Sequence, residues 1–400
     1  MELVQEKYKQ TEVGLIPNDW EVKKIKEICT LINGRGFKPF EWKDQGLPIV
    51  RIQNLNGSDE YNYFQGHFNP KILINKGQLL FAWSGSKGTS FGPHIWHGGE
   101  AVLNYHTWKI KVDEQAIEKN FFLHSLKHLT KQIEDKAHGA SALVHTQKGE
   151  MENFDFPLPV TKGEQTAIAT ALNDADALIS SIEQLLTKKR NIKQGAMQQL
   201  LKPKRGWVVK KLGELCDYIN DGSHSTPIYV DNGIPFYSVE NVTNNEFRNT
   251  KFITKKEHEE LIRRCKPEKG DILLTRIGTI GKTKIIDWDV NASIYVSLAL
   301  LKINSTANPL YLYMYTKSRQ FVRDIEERSL MNAIPQKINM GEIKKVPIYV
   351  PPTIEEQTKI AIILSDMDAE IAALETKLEK YKMIKQGMMQ QLLTGKMRLA

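Results

Sequence analysis

The chain has 400 residues, 41% hydrophobic and 26% charged, which suits two or three folded domains. No apolar run reaches the roughly 18 residues of a membrane helix, and the opening MELVQEKYKQTE is too polar for a secretory leader, so a cytoplasmic chain with no membrane partner is expected. A formal charge of +8 permits an acidic partner such as nucleic acid but excludes a uniform polycation: residues 1–155 hold 19 basic against 19 acidic side chains, residues 156–206 hold 8 against 4, and any DNA contact must use local patches.

The first lobe opens on LIPNDWEVKKI, Leu15 to Ile25, and continues through short apolar runs such as LPIVRIQNL and GQLLFAWSG that read as strands between Gly, Pro and Asn turns. IEKNFFLHSLKHLTKQIEDKA then has the spacing of an amphipathic helix. After PLPVTKGE a long helix is expected from near Glu164 to near Pro203, with Ile168, Leu172, Ala175, Ile179, Ile182 and Leu186 spaced four and three apart as a packing seam. It closes on IKQGAMQQLL.

The same order then recurs. RGWVVKKL repeats the start of the first lobe, IPFYSVENV matches LPIVRIQNL, GDILLTRIG matches GQLLFAWSG, and PLYLYMYTKSRQFVRDIEE reads as the late amphipathic helix. After PPTIEE, a second long helix is expected from near Glu356 to near Gly395, with Ile360, Leu364, Met367, Ile371, Leu374 and Leu378 as its seam and IKQGMMQQLL as its end. Nine of ten letters in the two closing phrases agree at an offset of 192 residues. Two matching apolar stripes can bury each other, antiparallel if the chain returns to its start. A helix of about 35 residues is about 50 Å long.

Two lobes, each followed by a Glu-Gln helix ending in KQG-x-M-QQLL, with PLP or PP before each Glu-Gln pair, resemble the specificity subunit of Type I DNA restriction-modification systems. The resemblance covers nearly the whole chain. It implies an α+β fold: a tandem pseudo-repeat of two mixed target-recognition domains at 1–157 and 204–348, each followed by a spacer helix region at 158–203 and 349–400, the helices pairing as an antiparallel coiled coil. It implies a non-catalytic chain with no cofactor of its own. Each lobe would read one half of a bipartite, asymmetric site in double-stranded DNA, while the helices set the spacing and dock two modification subunits that methylate adenine. S-adenosylmethionine, ATP and Mg would be used by those partners and by restriction subunits. Rigidly joined readers also gain affinity through effective concentration when geometry lets both engage, and sites one turn of B-DNA apart, about 34–36 Å, share a face.

The alternative is a self-sufficient DNA methyltransferase or nuclease, and its residue signals are thin. GTIGKT lacks the first glycine of a phosphate loop, because Arg276 stands there. Glu21-Val22-Lys23 has the acid-x-Lys order of a nuclease site, but the second lobe puts Val208 in place of Glu21. No glycine motif for S-adenosylmethionine and no Asn-Pro-Pro-aromatic tetrapeptide is found. His94 with His97 and His124 with His128 have metal-compatible spacings but no completing ligand, so no metal is assigned. Cys29, Cys216 and Cys265 form no CxxC pair, and the default for Cys29 and Cys216 is buried core. A third possibility is a coiled-coil scaffold without DNA affinity.

Base reading needs polar side chains on loops that reach a groove, with Lys and Arg on phosphates. In the first lobe the candidates are Arg35, Lys38, Arg51, Gln53, Asn54, Ser86, Lys87 and Gln147, the last within the loop His138 to Lys148. In the second they are Ser223, His224, Ser225, Thr226, Glu240, Asn241, Arg276, Thr279, Lys282 and Gln336, the last within Arg328 to Lys337. These sets occupy equivalent places in the repeat yet differ in letters, as two different half-sites require. Gly195 and Gly387 fall inside helices, where glycine costs about 1 kcal/mol relative to alanine. A close helix crossing or a partner subunit would account for them, as would a merely tolerated kink, and with Gln198, Gln199, Gln390 and Gln391 they are the expected partner-binding residues.

Overall fold

The computed structural model describes residues 7–137 and 143–399. The chain forms two compact units, residues 1–183 with 377–400 and residues 184–376. The division falls within the two long helices, so each unit combines one lobe with part of both.

In the first unit the strand Trp20–Lys24 pairs antiparallel with Asp155–Pro159, and Lys24 Nζ bonds Asp155 Oδ1 at 3.0 Å. Residues 25–154 are thus an insertion between two paired strands. They build an antiparallel sheet in the order Gly92–Ile95, Leu79–Ala82, Thr107–Val112, Cys29–Asn33. A second sheet has the order Tyr63–Phe64, Leu47–Val50, Ala101–Leu103, Leu73–Ile74, with a parallel pairing of Leu47–Val50 and Ala101–Leu103. Helix α1, Lys119–Lys136, covers the first sheet. Its Glu118 cap accepts the Phe121 amide at 2.6 Å, and the core gathers Trp20, Phe81, Trp108, Phe121, Phe122 and Phe156. Cys29 lies in this core, where burial pushes its thiol up to about 12 and leaves it inert.

The second unit repeats the plan. Val208–Lys211 pairs with Pro347–Val350 and frames residues 212–346. One sheet runs Cys216–Asp221, Leu298–Ile303, Ile272–Thr275, Thr283–Ile285. The other runs Tyr229–Val230, Lys251–Ile253, Ile234–Tyr237, Ser293–Ile294, again with one parallel pair. Two glycines show how closely the copies agree. A Cβ on Gly34 would stand 2.0 Å from the Asn104 carbonyl oxygen, and one on Gly222 would stand 1.9 Å from that of Ile294, so both crossings between sheets admit glycine alone.

The long helices are α2, Lys162–Leu200, and then, after the short helix α3 at Pro309–Tyr315, α4, Ile354–Leu392. Every expected seam position is buried or half-buried. In the first unit Asp176 meets Lys385 and Glu183 meets Lys382, and in the second Arg190 meets Glu375 and Lys193 meets Asp368. In each unit numbers rise along one helix as they fall along the other, so the strands of the pair are antiparallel.

The Glu-Gln pair proves to be the joint between lobe and helix. In the first unit Trp20 Nε1 donates to Glu164 at 3.2 Å, Gln165 Oε1 accepts the amide of Glu118 at 2.7 Å, and Gln165 Nε2 donates to the Pro159 carbonyl at 2.8 Å. In the second, Trp207 Nε1 donates to Glu356 at 3.2 Å, Gln357 accepts the amide of Asn308 at 2.7 Å, and Gln357 donates to the Pro351 carbonyl at 3.3 Å. One glutamate reaches the first strand, and one glutamine links the last strand to the cap of α1 or α3. Buried groups so paired fix an angle as well as supplying energy.

Candidate nucleic-acid interface

Four loops in each lobe carry the expected reading residues, and the structure separates scaffold from exposed tip. LPIVRIQNL and IPFYSVENV end in the same device. Asn54 Oδ1 accepts the Arg51 amide at 3.0 Å while its Nδ2 donates to the carbonyls of Ser58 and Glu60 at 3.1 and 2.8 Å. Asn241 Oδ1 accepts the Ser238 amide at 2.8 Å while its Nδ2 donates to the Glu246 carbonyl at 2.8 Å. Both side chains are 8% exposed. The expectation that Asn54 and Asn241 face DNA is therefore corrected: their amides are consumed in shaping the turns. Gln53 and Glu240, one residue earlier, are exposed and differ in charge.

Arg276 is a second correction. It is 8% exposed, with Nη1 donating to Asp221 Oδ2 at 3.1 Å and to the Val296 carbonyl at 2.9 Å, and Nε to the Ile338 carbonyl at 3.3 Å. Asp221 also receives Arg264 at 2.5 Å and His224 at 3.0 Å. A buried carboxylate needs such pairing, so Arg276 braces the loops instead of offering its charge outward. Ser223 is likewise buried, its hydroxyl donating to the Ser225 carbonyl at 2.7 Å, which leaves His224, Ser225 and Thr226 exposed beside it.

The remaining candidates stay at the surface. Arg51 is half-buried with its guanidinium 4.5 Å from the Trp42 ring and bonded to Asn62. Arg35 pairs with Glu41 and lies 4.9 Å from Phe37 and 5.0 Å from Phe64. Such stacking leaves a flat guanidinium preorganised for a planar acceptor. Lys38, Lys87, Gln147, Thr279, Lys282 and Gln336 are exposed and Ser86 is half-buried. Lys87 sits on a loop anchored where the Gly88 amide donates to Glu134 of α1 at 2.8 Å. Residues 138–142 of the loop His138 to Lys148 lie outside the described residues.

The loops also hang together in one way in each unit. Leu143–His145 pairs antiparallel with Ser84–Ser86, and in the second lobe Ile277 bridges Lys337 while the Gly278 amide donates to the Gln336 carbonyl at 2.8 Å. The tips include exposed apolar side chains that a search for polar letters passes over: Phe40, Leu143, Ile228 and Ile334, from 64% to 101% exposed.

The enzyme-like signals dissolve into structure. Glu21 and Lys23 pair with each other at 2.9 Å, and the glycines of GTIGKT adopt positive φ in a turn. His124 bonds Asn173 at 2.9 Å, and among the described residues no group of three or more His, Cys, Asp or Glu could hold a metal.

On the helices, Gln198, Gln199, Gln390 and Gln391 are exposed, and an added Cβ at Gly195 or Gly387 would touch nothing within 4 Å. No close crossing within the described residues requires either glycine. Also among the described residues, no helix is long and apolar enough to cross a membrane.

Two lobes that share one four-stranded antiparallel sheet and one parallel strand pair, joined alike to paired helices and differing at their exposed tips, define a tandem recognition protein. Residues 17–193 and again 204–382 match the family described as Type I restriction modification DNA specificity domain, and the chain belongs to that family, with two such domains in tandem. It is 24% identical to the Type I restriction enzyme MjaVIII specificity subunit of Methanocaldococcus jannaschii, over 99% of this chain and 97% of that one. It is also 24% identical to the EcoBI specificity subunit of Escherichia coli, over 91% and 82%. Among solved structures, the Type I restriction-modification S subunit from M. genitalium superposes with a TM-score of 0.64 at 17% identity, covering 97% of this chain and 98% of that one.

Proposed function

We propose that each lobe reads one half of a bipartite, asymmetric sequence in double-stranded DNA, and that the paired helices set the gap between halves and dock two methyltransferase subunits. The chain itself supplies recognition and no catalysis. S-adenosylmethionine, ATP and Mg serve the modification and restriction subunits, and the complex works in the cytoplasm.

The observation that carries this reading is where the two copies agree and where they diverge. Asn54 matches Asn241, Gly34 matches Gly222 and the Glu-Gln joint is repeated, whereas Arg51 faces Ser238 in the repeat, Gln53 faces Glu240 and Arg35 faces Ser223. One scaffold with unlike tips suits two unlike half-sites, since base edges are read by exposed side chains and not by the frame. For docking, the support is Gly195 and Gly387. Each carries the helix cost of glycine with no neighbour among the described residues to justify it, and each sits in the phrase written twice.

The test is biochemical. The chain copurified with its methyltransferase should bind duplex DNA with an affinity that falls steeply as salt rises, and should methylate it. The purified chain given DNA and labelled S-adenosylmethionine should incorporate nothing. Incorporation without a partner would establish the self-sufficient enzyme instead.

A further inference from the structure

The second lobe exposes an apolar tip that its own chain does not cover. In the segment Arg328 to Lys337, Ile334 is 101% exposed and Leu330 and Met331 are each 47% exposed, with Pro335 beside them. Three apolar side chains grouped in water on one loop are unfavourable unless something covers them. The loop is held outward by the scaffold: the Leu330 amide donates to the Lys337 carbonyl at 2.8 Å, the Gly278 amide to the Gln336 carbonyl at 2.8 Å, and the Ile338 amide to the Arg276 carbonyl at 2.9 Å. It therefore stands against the loop that carries Thr279 and Lys282.

The charge around the tip selects the occupant. Residues 276–284 and 328–337 hold no acidic side chain and five basic ones, and since Arg276 is buried against Asp221, the charge is carried by Lys282, Lys284, Arg328 and Lys337. An apolar point ringed by cations and by the amides Asn332 and Gln336 suits a duplex, whose phosphates meet the ring while the point enters the base stack. Proteins that insert Ile, Leu, Met or Pro between base steps unstack and kink the helix, and the cost of that deformation depends on the step, so sequence is read where no hydrogen bond is made.

We propose that the loop Arg328 to Lys337 is a wedge whose Ile334 and Met331 enter the DNA stack within the half-site read by the second lobe. This rests on the reading that the lobe binds DNA, and it adds a means of discrimination through deformability.

The experiment uses the full chain with its methyltransferase partner and a duplex carrying the site found by methylation mapping, with 2-aminopurine placed in turn at steps of the second half-site other than the methylated adenine. Wild-type complex should brighten the probe at one step. I334S combined with M331S should abolish that rise, lower affinity by about tenfold, the scale of one mismatched base pair, and leave copurification of the partner unchanged. Brightening that persists in the variant, or none in the wild type while the site is still methylated, overturns the wedge and leaves the DNA reading intact. Loss of partner copurification without DNA would assign the tip to a protein interface and overturn it too. A complex that binds no bipartite site would instead remove the underlying reading.

Discussion

The Trp20 indole donates its N–H to the Glu164 carboxylate at 3.2 Å, across 144 residues of chain, and so links the strand Trp20–Lys24 that frames the first lobe to the first turn of α2. Glu164 is 8% exposed and also accepts both Arg398 Nε and Nη2, while Arg398 bonds Asp19 at 2.8 Å. Trp207 makes the matching bond to Glu356, which among the described residues has no such second cation bonded to it. Truncating Glu164 leaves a buried indole and a guanidinium short of partners, so E164A should destabilise by about 1–3 kcal/mol and E356A by less. Urea unfolding of the two variants checks the order.

The same cluster sets an acid limit. Hydrogen bonding to Arg398 holds the Asp19 carboxyl below its ordinary range. A depressed carboxyl stabilises the folded state above its unfolded pKa and loses that contribution as pH falls through the folded value. Wild type should therefore lose this contribution only below the ordinary carboxylate range, and R398Q should lack it at neutral pH. The gap in melting temperature between the two proteins should hold from pH 7 down to the ordinary carboxylate range and narrow as pH falls below it.

Asn54 and Asn241 should behave as frame, not as readers. N54A leaves two backbone carbonyls and an amide without their side-chain partner, and N241A one carbonyl, one hydroxyl and an amide, each costing about 1–3 kcal/mol, with the methylated sequence unchanged in the folded fraction. Q53A should do the opposite, leaving the melting temperature in place while relaxing one position of one half-site. Methylation mapping of the variants separates the two outcomes.

Gly195 and Gly387 offer a sign test. G195A and G387A should each stabilise the helix by up to about 1 kcal/mol, since none of the described residues meets the new methyl. If these faces dock methyltransferase, the same variants should weaken copurification. Increased stability with undiminished assembly would remove the glycines from the partner surface.

Much of this was legible in the sequence. The duplicated phrase, the four-and-three seam and the Glu-Gln pairs located both long helices, because such periodicity is local and survives in letters. The reading residues were less legible. Asn54 and Asn241 are polar loop residues by their letters, yet the same letter standing in both copies is the sign of scaffold. Arg276 looked like a loop cation because its partner, Asp221, lies 55 residues away and no local pattern announces it. The joint made by Gln165 with Glu118 and Pro159 was visible only as a repeated letter, since its meaning is a tertiary contact.

Spacing is testable at the helices. Adding seven residues to both α2 and α4, after residues 183 and 376, keeps the seam in register and lengthens the pair by about 10 Å. The gap between methylated half-sites should grow by about three base pairs, at roughly 3.4 Å each. An unchanged gap would mean the helices do not set it.

The most direct test exchanges residues 25–154 for those of another lobe. The paired strands Trp20–Lys24 and Asp155–Pro159 and the side chains of Glu164 and Gln165 are kept, the new lobe supplies the helix cap that Gln165 accepts, and adenine methylation is mapped across the genome. One half of the recognised sequence should change while the other half and the gap persist. A change in both halves, or in neither, would contradict independent recognition by two lobes.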